Sequence, residues 1–312
     1  MNTRGTLLLL IKAVASLVLL IFMGRKVSWS ESWTHLSQMN WVFAILATLM
    51  LGLVHWLCAV RWHFVSGRVL GLRVCARYTW ISQIYALILP GALSADLAKG
   101  VIMTASKHGA GSAVVPVSIM VDRLSGLAVL ILFGEVACWF VEPLRDRAPA
   151  WILVSIACSL VGLIAFPGLL KAGVHGLQVS RLFSKSVFSM SKIVQESLVL
   201  PYRTWFVAVG MSVVIHACNI TFYWFAMKAV FLQESWWMIA IYTCALNLAM
   251  LLPVSIGGIG LREHLSALMF AAGTASAGVA FSWLVLLISV AHGLVGLILQ
   301  LIPANDGVRR QN

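Results

Sequence analysis

The sequence predicts an all-α fold: a polytopic transmembrane helical bundle with an internal inverted repeat and two re-entrant broken-helix hairpins. Three observations carry this prediction. Hydrophobic residues make up 61% of the 312 positions and charged residues 10%, with a mean hydropathy of +0.96, more apolar surface than a soluble domain of this length can cover. Apolar runs recur at lengths that cross a hydrocarbon core of about 30 Å. Two further runs are each interrupted by Leu-Pro, then small residues, then a cation nine positions after the proline: Leu89-Pro90 to Lys99 and Leu252-Pro253 to Arg262.

Taken in order, spans are expected near residues 6–24, 41–60, 113–141, 150–170, 204–227 and 276–301. Arg4 before the first run resembles a signal-peptide flank, but Gly24-Arg25-Lys26 follows with no small-x-small cleavage site, so a retained helix is expected. The regions about 78–108 and 237–272 hold the proline devices and read as re-entrant hairpins, with a full crossing in either as the alternative. Proline removes a backbone donor and small residues tolerate unwound backbone. Inside a bilayer such breaks survive only where protein or a water-filled cavity covers them, and paired breaks mark midplane sites in transporter-like folds. Residues 1–312 read as one integral membrane domain with repeat halves at about 61–141 and 204–301. The stretch from Lys171 to Arg203 joins the halves, either as a basic amphipathic segment on the inner leaflet or as a solvated connector.

The net charge of +12 is chiefly a property of loops. With a cytoplasmic N-terminus, Arg25, Lys26, Arg145, Arg147, Lys228 and Arg262 fall on the outer side, Lys12 falls within a span, and the other fifteen of the 22 basic residues face the cytoplasm. This satisfies the positive-inside rule. Trp29, Trp33, Trp41, Trp139, Trp151, Trp224, Trp236 and Trp237 then cluster at the outer interface, at the depth aromatic rings favour.

A charge near the bilayer centre costs about 2.5–3.5 kcal/mol and asks for a reason. Asp96 and Lys99 lie one turn apart and can neutralise each other. Asp122-Arg123 follows on the next span, and Arg262-Glu263 takes the equivalent place in the second half. Lys99, Arg123 and Arg262 together would suit a phosphate or phosphodiester. The plainer alternatives are an interfacial Asp122–Arg123 ion pair and a snorkelling Arg262–Glu263 pair. Glu135 reads as a deep interfacial acid, with proton coupling as the alternative, and His55, His216 and His292 as hydrogen-bonded structural residues. The six cysteines form no CxxC pair and act as small hydrophobes. A Walker loop, a dinucleotide glycine fingerprint, a nucleotide-sugar DxD site and metal-ligand spacing are all missing from the sequence, so neither an enzyme, a cofactor, a metal nor a nucleic-acid partner is expected.

At these residues the chain resembles the integral-membrane domain of lysylphosphatidylglycerol synthase, the flippase-like domain family. Pro253, Ser255, Gly257, Gly258, Gly260, Arg262 and Glu263 match the second-half pattern in full. Pro90, Asp96, Lys99, Asp122 and Arg123 match the first-half pattern in kind and order, with Ser94-Ala95 in place of a glycine pair and Lys99 in place of arginine. The resemblance implies binding and translocation of an anionic or isoprenoid-linked lipid across the inner membrane. It makes Asp96, Lys99, Asp122, Arg123, Gly257, Gly258, Gly260, Arg262 and Glu263 the expected substrate-binding residues. Aminoacylation, which in bifunctional members belongs to a separate cytosolic domain, is not expected of this chain. The alternatives are a membrane-embedded transferase acting on a polyprenyl phosphate, with Asp96 or Asp122 as base, and a non-transporting partner of a lipid- or glycan-modifying complex. Lipid identity, energy source and oligomeric state stay open.

The orientation is testable. In a background lacking the native cysteines, Asp146→Cys should react with an impermeant thiol reagent added outside, and labelling only from the cytoplasmic side would refute the topology.

Overall fold

Hydrocarbon offers no water to backbone amides and carbonyls, so a chain this apolar must bond them within helices. The computed structural model describes residues 27–89, 92–105, 114–179, 202–251, 257–270 and 275–302, and among them the regular structure is entirely helical. The helices are α1 (Trp29–Ser37), α2 (Trp41–Val65), α3 (Leu72–Ile88), α4 (Ala92–Ala105), α5 (Val114–Phe140), α6 (Glu142–Arg147), α7 (Pro149–Val179), α8 (Tyr202–Ala229), α9 (Trp236–Leu251), α10 (Leu261–Met269) and α11 (Ala275–Leu301). Five of them, α2, α5, α7, α8 and α11, contain stretches long and apolar enough to cross a membrane. The protein is a multi-pass membrane protein. These five coincide with five of the runs read from sequence; the run at 6–24 lies outside the described residues.

Two boundaries differ from the sequence reading. Helix α2 continues past residue 60 to Val65, because Arg61 finds a buried partner instead of ending the span. Helix α7 continues to Val179, so residues 171–179 are helical continuation of α7, beyond the span-forming stretch that ends at Gly168, and residues 180–201 of the connector lie outside the described set.

Side chains sort by helix face without a change in polarity. On α2, Val42, Ile45, Leu49 and Leu53 are exposed while Ala44, Ala47, Leu51 and Val54 are buried. Both faces are apolar because one meets lipid and the other meets protein, and small residues on the inner face let helices approach.

The chain packs as two units that interleave along the sequence, residues 1–56, 77–99 and 217–306 in the first and 57–76, 100–216 and 307–312 in the second. In the first, Ser28 caps α1 by accepting from the Glu31 amide, and α1 docks on α11 through a Trp29–Trp283 stack at 5.7 Å and a Ser276–Glu31 hydrogen bond at 2.9 Å. Helix α3 lies against α11 so closely that a Cβ on Gly296 would collide with the Trp80 carbonyl. In the second unit, Val65, Val117, Val121, Trp205 and Ala208 form a core. There the Trp205 indole donates to the Leu163 carbonyl at 2.9 Å and stacks on Phe166 at 4.6 Å.

Both proline regions interrupt a helix. Helix α3 stops at Ile88 and α4 starts at Ala92; α9 stops at Leu251 and α10 starts at Leu261 after a turn at 257–260. Pro90, Gly91 and residues 252–256, with Pro253 and Ser255, lie outside the described residues. A long span follows each short helix, α5 after α4 and α11 after α10.

Gly296→Ala should lower stability in detergent by about 1–3 kcal/mol through overpacking. Gly210→Ala, where a Cβ would meet nothing within 4 Å, should be neutral or gain about 0.5–1 kcal/mol from helix propensity. Thermal melts of the two variants showing equal shifts would refute the close-approach reading.

Candidate functional site

Helix α4 carries its charges inward. Ala95, Asp96, Lys99 and Met103 are buried, while Leu97 and Val101 are 70% and 66% exposed. Residues three or four apart share a helix face, so Asp96 and Lys99 sit one turn apart on the protein side. Ionisable groups in membrane helices face the interior for this reason: lipid cannot solvate them.

The second break is a glycine turn. Gly257, Gly258 and Gly260 adopt φ of 58°, 78° and 85°, a left-handed region glycine enters at little cost. A Cβ on Gly257 would strike the Leu87 carbonyl, and one on Gly258 the Met250 sulfur. The turn of the second break therefore rests on the last turn of α3, the helix that leads into the first break.

Neighbouring charges of opposite sign hold this turn. Glu263, 2% exposed, accepts from the Gly260 amide at 2.6 Å and from the Ser282 hydroxyl at 3.0 Å. This is the half of a capping box open to a glycine N-cap. Both carboxylate oxygens are thus engaged by the turn and α11, where the sequence suggested a hold on a cation. Arg262, 6% exposed, donates from Nη2 to the Gly257 carbonyl at 3.2 Å, and its Nε is buried with no hydrogen-bond partner among the described residues.

Behind the arginine, the Ser266 hydroxyl donates to the Arg262 carbonyl at 2.8 Å, leaving Tyr242 to donate to Ser266 at 2.8 Å. Tyr223, Tyr242, Phe270 and Phe281 form an aromatic wall with ring centroids 5.5–6.2 Å apart. The result is a buried cation, beside a glycine turn, whose Nε–H has no hydrogen-bond partner among the described residues.

In the second unit Asp122, on α5, is gripped by Arg61 of α2 through Nε at 2.7 Å and Nη2 at 3.0 Å. Arg61 Nη1 also donates to Ser212 of α8 at 2.6 Å, and the three groups are buried. Arg123, one residue on, is exposed. Of the residues read from sequence, Asp96, Lys99, Gly257, Gly258, Gly260, Arg262 and Glu263 belong to the first unit, and Asp122 and Arg123 to the second. Arg61, Ser212, Ser282 and Tyr242 were not singled out. For Arg61 the available signal was its place in the helical register of α2, which the charge itself obscured. Among the described residues no three histidine, cysteine or carboxylate side chains gather as metal ligands.

Removing one partner of a buried ion pair strands the other. Arg61→Met or Asp122→Leu should each lower stability by about 3–5 kcal/mol, and the two together should recover most of the loss. Strictly additive losses in unfolding measurements would show that the pair is not coupled.

Comparison with curated proteins yields no match. The family model described as the lysylphosphatidylglycerol synthase TM region matches residues 9–302. With nearly its whole length and its glycine turn covered by that match, the chain belongs to this family of membrane proteins.

Proposed function

We propose that the protein binds the anionic headgroup of a membrane lipid, a phospholipid or a polyprenyl-phosphate-linked lipid, and moves it across the inner membrane. One observation carries this reading: a buried guanidinium in a break between apolar helices, with a donor left unbonded. A dry N–H on a charged group costs about 1–3 kcal/mol or more, and an anionic oxygen removes that cost. Lys99, inward-facing on α4, supplies a second cation in the same unit, and lipid tails stay in the bilayer while the headgroup is held. The two helix–break–short helix–span sequences form an inverted repeat in this reading, and the short helices re-enter from opposite sides.

The transferase alternative needs a carboxylate free to take a proton. The bidentate hold of Arg61 on Asp122 makes that residue an ion-pair acceptor, which weighs against Asp122 as the base and leaves Asp96 as the carboxylate that reading would need. Turnover of a labelled donor in detergent, without sealed vesicles, would favour the enzyme instead.

Arg262→Gln and Lys99→Gln keep length and remove charge. Each should insert normally and weaken binding of anionic lipid by about ten- to hundredfold, measured as lipid co-purified or translocated in proteoliposomes. Lys99→Arg should be tolerated. If both glutamine variants match the parent at equal protein levels, the headgroup reading is wrong.

A further inference from the structure

In the first unit, α2 and α11 meet through two histidines that the headgroup site does not use. His55 and His292 are 7% and 6% exposed, and their Nδ1 atoms lie 3.2 Å apart. The Trp80 indole, from α3, stacks on His292 at 5.1 Å with planes 9° apart and meets His55 edge-on at 5.1 Å. Gly52, one turn before His55, leaves room for the other ring: a Cβ there would sit 3.5 Å from His292 Cε1. The other polar groups facing the rings are Gln83 of α3 and the backbone of Thr48 on α2, and the titratable group facing each ring is the other ring.

A hydrogen bond between two Nδ1 atoms needs one N–H and one bare lone pair. It holds only while at least one ring is neutral with its proton on Nε2. Two imidazoliums would set N–H against N–H, with two like charges in contact inside apolar spans. That arrangement has no donor–acceptor match and a heavy desolvation cost. Packed helices and a doubly protonated pair are therefore incompatible, and a singly protonated pair keeps the bond but buries a net charge among apolar spans, whereas imidazole in water takes up protons near pH about 6.5.

We propose that His55 and His292 form a proton-binding site that controls the packing of α2 against α3 and α11: neutral and hydrogen-bonded beneath Trp80 when the helices are closed, and protonated on each ring once they part. The protons come from water. Because the open form binds more of them, acid favours it. The open-to-closed ratio rises about tenfold per pH unit for each proton taken up, and about a hundredfold for two. This site is independent of whether the protein moves lipid, since its readout is a helix separation.

The test uses the full chain without native cysteines in lipid nanodiscs, spin-labelled at Leu49 of α2 and Leu294 of α11, both exposed. Distances are measured by electron–electron double resonance from neutral to acid pH. The parent should shift from a short to a longer distance with a two-proton slope. His55→Phe or His292→Phe, which fill the space without titrating, should reduce the slope to one proton, and the double variant should be flat. A distance distribution in the parent that does not change on acidification overturns the proposal, whether or not the variants fold. So does an acid response that survives in the double variant.

Discussion

Broken backbone between apolar helices is the constraint on which the first unit depends. A continuous helix satisfies its own amides and carbonyls; a break releases them, and they need partners from elsewhere in the chain. At the glycine turn the released groups find the side chains of two successive residues. The carboxylate of Glu263 takes the Gly260 amide and the guanidinium of Arg262 takes the Gly257 carbonyl. An acid answers the orphan donor and a base the orphan acceptor. Ser282 ties the same acid to α11, and Gly257 seats the turn on α3. Loss of this clamp would free the positions of α10, α11 and the end of α3 together.

The two buried arginines differ in a way that charge alone does not convey. Arg61 meets a bidentate carboxylate and a serine hydroxyl, which suits a fastener between three spans. Among the described residues Arg262 has no comparable carboxylate hold: its neighbouring acid is turned to the backbone, and its Nε has no hydrogen-bond partner. The same side chain thus makes a full ion pair in one unit and a single carbonyl contact in the other.

The length and hydropathy of the spans were legible in the sequence, because a hydrocarbon core imposes both. So were the breaks, since proline and clustered glycine announce released backbone. The faces were not legible. In α2, Leu49 toward lipid and Leu51 toward protein are chemically equal, so no polarity pattern reveals which side of a span touches what. Asp122 and Arg123 are adjacent in sequence, yet one is buried and the other exposed. Arg61, which grips Asp122, lies 61 positions away, and His55 and His292 are 237 apart. Arg262 and Glu263 were marked by their placement near a break, while their work on the turn itself could be seen only in three dimensions.

Helix α10 is nine residues long, about 14 Å at an α-helical rise, less than half the hydrocarbon thickness. It holds Arg262, Glu263 and His264 in its first turn, so it has neither the length nor the composition to enter a bilayer by itself. Its delivery depends on α9 before it and α11 after it. What fixes α10 in place is therefore tertiary: Glu263 is tied to Ser282 of α11, and the turn before α10 rests on the Leu87 carbonyl at the end of α3.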